Sequence, residues 1–207
     1  QVTVSGKTHK LTNPFFVLAT QNPIEMEGTY TLPEAQLDRF FFKVNLSFPS
    51  GSELKEILRK TTVNEKYVIK QVLDSKNAAK RVEEMKKLVR NILVSSNVED
   101  YVVNIITMTH PDNQETGSSN PGGDTIRDFI KRYVTYGSSP RGAQSVVLAA
   151  KVKALLDNRA NISYDDVDKV AVASLNHRLL LNFEADADNI KSKDIIENIL
   201  EKVRNKR

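Results

Sequence analysis

The sequence predicts a chain of two unlike parts, an α/β segment over residues 1–49 followed by an all-α domain over 50–207, predominantly helical overall. Two unbroken runs of apolar, β-type residues, FFVLAT at 15–20 and FFFKVNLSF at 40–48, have the length of strands covered on both faces. A loop and one short helical stretch, Glu34 to Arg39, separate them. From Pro49 onward apolar residues recur at three- and four-residue spacing, the period of amphipathic helices.

Taken in order, QVTVS and THKL are alternating runs joined around Ser5-Gly6-Lys7, the pattern of a short β-hairpin. Gly6-Lys7-Thr8 also resembles the end of a phosphate-cradling P-loop, but the glycine that motif needs five positions earlier is Gln1. Asn13-Pro14 would stop any helix that Thr8 opened, so the hairpin is the better account. FFVLAT follows as a strand, and then NPIEMEGTYTLPEAQLDR, a loop punctuated by Pro23, Gly28 and Pro33 that becomes the short helix before the second strand. In the all-α part SELKEILRKT opens with Ser52 as a candidate N-cap, and SKNAAKRVEEMKKLVRNIL continues the helical period. Further helices are expected at about 98–109, 124–135, 140–158, 164–180 and 192–203. Residues 111–124 read as a solvent-exposed, mobile loop; counted from Asp112, the twelfth position is Gly123, not the glutamate that an EF-hand requires.

Composition narrows the function classes. The chain has 207 residues, 40% hydrophobic and 27% charged, with no apolar run near the roughly 18 residues of a membrane span. No charged segment followed by an apolar core marks a secretory leader, and there is no cysteine, which excludes disulfides and thiolate metal sites and fits a cytoplasmic location. His9, His110 and His177 have no ligand-spaced neighbours, so no metal site is expected in this chain. The net charge of +4, from 30 basic and 26 acidic side chains, is a mild excess concentrated in helical stretches such as Lys80 to Arg90 and in the tail Lys202 to Arg207, which reads as a solvated face; without interleaved aromatics, nucleic acid is not an expected partner. Two strands, one short helix and a hairpin are too few for a covered α/β layer, so further sheet is expected upstream of Gln1.

The stretch FFVLATQNPIEMEGTYTLPEAQLDRFFFKV, residues 15–44, closely resembles the MoxR family of AAA+ ATPases, and RYVTYGSSPRGAQSVVLAAKVKALL, residues 132–156, resembles that family's second signature. The likeness runs on to LNHRLL at 175–180. It implies that residues 1–49 are the last part of a P-loop AAA+ core and that 50–207 are its helical lid. It implies rings, usually hexameric, with ATP and magnesium as cofactors of the complete protein. The P-loop and the acidic magnesium-binding strand would both lie before Gln1, so the chain alone is expected neither to bind ATP tightly nor to hydrolyse it.

Residue by residue, Asn22 matches the sensor-1 position, where a neutral amide can hold the γ-phosphate and the attacking water. It also suffices as the start of an Asn-Pro turn. Arg39 matches the arginine finger, which stabilises transferring charge in a neighbouring subunit; the alternative is a helix-end arginine paired with Asp38, Glu34 or the helix dipole. Arg141, after the capping Ser139 and Pro140, matches sensor 2. A cation at a helix N-terminus opposes the macrodipole, so an anion, a nucleotide phosphate by resemblance, is expected beside it; a plain surface arginine is the alternative. The hairpin resembles the insertion before sensor 1, which would let Lys7 and His9 touch a partner, and a purely structural hairpin fits as well. Glu25, Glu27 and Glu34 form a carboxylate group near Asn22 that loop solubility also explains, and His177-Arg178 is expected to be structural.

The function implied is a chaperone-like ATPase that remodels or activates protein partners, by resemblance often von Willebrand A domain proteins. The competing classes are a non-catalytic protein-interaction module and a ring ATPase acting on nucleic acid.

Overall fold

The computed structural model describes residues 1–21, 32–63, 70–74, 76–112 and 125–205. They fall into two compact units, one of residues 1–20 and 44–87, the other of 21–43 and 88–207.

In the first unit, β1 (Val2–Val4) and β2 (Lys7–His9) pair antiparallel, with Val2 opposite His9 and Val4 opposite Lys7. Ser5 and Gly6 join them at φ of 50° and 77°. Two successive positive φ values give the two-residue turn whose twist suits a hairpin, and glycine takes the second without a Cβ clash. Helix α2 (Gly51–Thr61) starts from Ser50. The Ser50 amide donates to the Glu53 carboxylate at 2.7 Å while its hydroxyl accepts from the Glu53 amide at 3.4 Å. Ser50, rather than the expected Ser52, is the cap, because Glu53 stands three residues after it and completes the reciprocal pair.

The two expected strands at 15–20 and 40–48 do not form. A strand exists only as a ladder of hydrogen bonds shared with a neighbour, and among the described residues nothing pairs with either run. Phe16 is 77% exposed and Leu46 92%. An apolar run expresses a demand for cover, which the described residues do not meet. No described residue of the first unit is buried.

The second unit has a core. It comprises α1 (Glu34–Leu37), the end of α3 (Ala78–Asn91), α4 (Ser96–Met108), α5 (Thr125–Tyr133), β3 (Val134–Tyr136), α6 (Pro140–Leu156), α7 (Tyr164–Leu175), β4 (Leu180–Leu181), α8 (Phe183–Ala187) and α9 (Ser192–Arg204). Ile105 of α4, Val146 and Ala150 of α6, Val167, Ala171 and Leu175 of α7, and Ile195 and Ile199 of α9 are buried in one cluster. Burying each Val, Leu or Ile side chain contributes about 1.5–3 kcal/mol, and this is where the stability of the chain resides. Gly142, Ala149, Ala150 and Ala154 give α6 a small-residue face, and α7 packs closely on that helix.

Two expected helices end early for a shared reason. The stretches expected at 124–135 and 164–180 stop at Tyr133 and Leu175 because β3 and β4 pair antiparallel, Val134 opposite Leu181 and Tyr136 opposite Leu180. Sequence periodicity over so few residues did not reveal this ribbon. Asn182 then caps the unexpected α8 by accepting from the Ala185 amide at 3.1 Å.

One buried ion pair braces the start of α7. Asp166, with its side chain 1% exposed, completes a capping box with Ser163. Arg159 grips both of its oxygens, at 2.7 Å and 2.5 Å. Burial alone would raise the Asp166 carboxyl, but Arg159 and Ser163 outweigh it and hold the pKa down at about 2.

Candidate functional site

The site lies where the turn after α1 meets the start of α6 and the end of α7, all within the second unit. Helix α1 is a single turn after Pro33, and Asp38 is its C-cap. Helix α6 begins at Pro140 with Ser139 in the N-cap position. The Ser139 hydroxyl does not cap that helix, contrary to expectation; it donates to the Asp38 carboxylate at 2.8 Å. The hydroxyl is thus turned towards Asp38, with its O–H as donor, and its oxygen accepts from no amide of the α6 first turn.

Asp38 is the hub. Its Oδ2 accepts from Arg141 Nη1 at 2.8 Å, and its Oδ1 from Arg178 Nε at 3.2 Å. The side chain of Arg178 is 2% exposed, whereas that of Arg141 is 58% exposed. Arg178 also donates to the carbonyls of Asp38, Phe40 and Ser174. A buried guanidinium needs this many acceptors, because each unpaired N–H would be left desolvated. Burial pulls the Arg178 pKa down and the Asp38 charge pushes back. For Asp38, burial would raise the carboxyl, yet the bonds from Arg141 and Ser139 and the charge of Arg178 hold it below the usual carboxylate range.

Residues 38–43 are thereby strapped to α7 and the residues after it. The Lys43 amide donates to the Ala173 carbonyl at 3.0 Å, the Asn176 amide group to the Lys43 carbonyl at 3.1 Å, and His177 Nε2 to the Phe40 carbonyl at 3.0 Å. A carbonyl only accepts, so that ring nitrogen carries the proton, and the buried Nδ1 has no partner among the described residues. Burial accordingly lowers the His177 pKa and favours the neutral ring.

The approach to α6 is tight. Ser138 donates its amide to Thr109 Oγ1 at 2.9 Å, and its carbonyl lies 3.0 Å from His110 Nε2. A Cβ on Gly137 would sit 2.6 Å from Thr109 Oγ1, and one on Gly142 would sit 2.0 Å from Ser138 Oγ. At Gly137 the Thr109 backbone itself, 2.7 Å away, leaves no room for a Cβ; at Gly142 the Ser138 and Leu175 side chains would have to move.

The structure therefore brings Arg141 to Asp38, the residue before Arg39. Arg39 is exposed and makes no side-chain hydrogen bond or ion pair among the described residues. The anion beside Arg141 in the structure is the Asp38 carboxylate, where a nucleotide phosphate is expected. Asn22, Glu25 and Glu27, and most of the 111–124 loop, lie outside the described residues. Glu34 is exposed in the first turn of α1, and Lys7 and His9 are exposed on the hairpin of the first unit. Among the described residues no cluster of His, Cys, Asp or Glu could hold a metal ion, and no helix is long and apolar enough to cross a membrane. Sequence reasoning missed Asp38 as a hub and Ser139 as its donor, although both sit inside the quoted motifs.

Residues 1–42 match the model of the ATPase family associated with various cellular activities, AAA, and residues 127–199 match that of the AAA lid domain. Chaperone MoxR1 of Mycobacterium tuberculosis is 35% identical over 202 residues, an alignment that covers 98% of this chain and 50% of that protein. Protein MoxR of Methylorubrum extorquens is 27% identical over 174 residues, covering 80% of this chain and 47% of that one. The crystal structure of a candidate ATPase from Cytophaga hutchinsonii aligns with a TM-score of 0.80 at 34% identity, over 97% of this chain and 57% of that chain.

The chain belongs to the MoxR family of AAA+ ATPases. It spans about half the length of the curated relatives it matches. As a MoxR-family chain it carries a segment of the AAA+ fold followed by an AAA lid, and Asp38 joins the two family motifs, 103 residues apart in sequence, through Arg141.

Proposed function

We propose that this chain supplies the sensing and finger elements of a chaperone-like MoxR ATPase that couples ATP hydrolysis to remodelling of protein partners. The observation that carries the reading is the 2.8 Å contact between Asp38 and Arg141, which sets the turn bearing Arg39 against the lid arginine. Arg141 fits a phosphate, being a half-exposed guanidinium with N–H donors to spare. Bound ATP with magnesium supplies the phosphoryl group to be transferred.

In this reading Arg141 is sensor 2 and reports the nucleotide to the lid. Arg39 is the arginine finger, exposed and unpaired among the described residues, so that it can reach a neighbouring subunit of a ring, usually a hexamer in this family. Asn22 is sensor 1. Residues 1–49 end the ATPase core and 50–207 form the lid, and the P-loop and magnesium ligands belong to sequence beyond this chain, so the chain alone is inactive. The protein works in the cytoplasm, and its partners include von Willebrand A domain proteins.

The test is titration of a fluorescent ATP analogue with magnesium into this chain and into a version extended upstream by roughly the 130 residues of a full core. Turnover by the extended protein alone, reduced about 10³- to 10⁵-fold by Arg39→Ala, is the expected result. Tight binding by the short chain would overturn the assignment and return attention to Gly6-Lys7-Thr8.

A further inference from the structure

We propose that Asp38 is a specificity-determining residue for the anion that Arg141 accepts, an inference that rests on reading Arg141 as a phosphate contact. Asp38 is not a free surface carboxylate. Its Oδ1 is held by Ser139 at 2.8 Å and by the buried Arg178 at 3.2 Å, and only Oδ2 faces Arg141. Arg141 uses one N–H on it and is itself 58% exposed. The pair is therefore asymmetric: the carboxylate is fixed and the guanidinium can leave.

A tethered carboxylate competes as if present at an effective concentration in the millimolar range or above, without losing translational freedom each time it binds. A free monocarboxylate or chloride brings Arg141 no more charge than Asp38 does and must lose its translational freedom to bind, so at low millimolar concentration it does not displace the contact. A terminal phosphate carries more charge than a carboxylate, meets the planar fork with two oxygens where Asp38 gives one, and prevails. Asp38 thus sets a threshold that polyphosphates pass and small monoanions do not. When a phosphate takes Arg141, Oδ2 is released in the turn that leads directly to Arg39.

The test uses the 207-residue chain, labelled with ¹⁵N, and follows the Arg141 Nε–Hε signal, assigned by its loss in Arg141→Lys. Tripolyphosphate and acetate are the probes. In the parent chain tripolyphosphate is expected to shift the signal and acetate, up to about 10 mM, is not. In Asp38→Asn, acetate is expected to shift it as well, and the tripolyphosphate midpoint is expected to fall about two- to fivefold, the range that a half-exposed ion pair commands. Asp38→Glu keeps the charge and is expected to keep the discrimination. An unchanged or higher tripolyphosphate midpoint in Asp38→Asn, with the parent still responding, overturns the threshold and leaves Arg141 as a phosphate contact. No response to tripolyphosphate in either chain overturns the phosphate reading itself. Should Asp38→Asn unfold because Arg178 loses its counter-charge, Asp38→Asn combined with Arg178→Gln removes both charges and is read the same way.

Discussion

Replacing Arg178 by methionine should release the 38–43 strap while leaving the helical core folded. Arg178 makes four hydrogen bonds: to the Asp38 carboxylate and to the carbonyls of Asp38, Phe40 and Ser174. Methionine restores the apolar stem and none of the donors, leaving the Asp38 carboxylate with less positive charge and the carbonyls short of a partner. Bonds to charged groups contribute about 1.5–3 kcal/mol each when buried, and part of this returns as water reaches the freed groups, so a local loss of about 3 kcal/mol is expected. The core cluster of Ile105, Leu175, Ile195 and Ile199 does not depend on these bonds. Native-state hydrogen exchange reads the two effects separately. The Lys43 amide, bonded to Ala173, should exchange about a hundredfold faster, since 1.4 kcal/mol is a factor of ten. Amides in the middle of α7 and α9 should slow or quicken far less. A change at Lys43 below about threefold would refute the view that Arg178 holds the strap, and equal loss across α9 would show instead that it supports the whole unit.

Two further outcomes concern Gly142 and Asp166. In an open helix Gly142→Ala would gain about 0.5–1 kcal/mol, but here the new Cβ meets Ser138 Oγ at 2.0 Å and Leu175 Cδ2 at 2.9 Å, so a net loss of about 1–2 kcal/mol in urea unfolding is expected, and a gain would show that the turn yields freely. The Asp166 pKa falls from 3.8 to about 2 on folding, so the stability it contributes is complete above about pH 4 and is lost as pH drops towards 2. That contribution is about 1 kcal/mol once screening at the exposed flank of Arg159 is allowed for. Thermal unfolding of Asp166→Asn should therefore lose less stability than the parent between pH 4 and pH 2, and parallel curves would contradict the assignment.

Much of the chain could be read in advance where a local rule sufficed. The hairpin came from alternation around Ser5-Gly6, and the α3, α4, α6 and α9 helices from apolar spacing that needs no knowledge of neighbours. Arg39 and Arg141 were singled out by the motifs around them, and Arg141 further by a charge that its own helix disfavours. The failures have a common cause. FFVLAT has strand composition but no described neighbour to pair with, and the β3–β4 ribbon joins residues 134–136 to 180–181 across a stretch that no local period spans.

The sequence by itself determined where the longer helices lie, which residues demand burial and which arginines to single out, because these depend on residues a few positions apart. Only the tertiary structure decided what the arginines touch. Asp38, Ser139, Arg141 and Arg178 are scattered over 140 positions of the chain, and their meeting depends on the packing of α6 against α7 and on the strap from 38 to 43. It is burial that makes this cluster specific: Arg178, taken from water, must satisfy its donors on one carboxylate and three carbonyls, and in doing so it fixes the carboxylate that Arg141 holds.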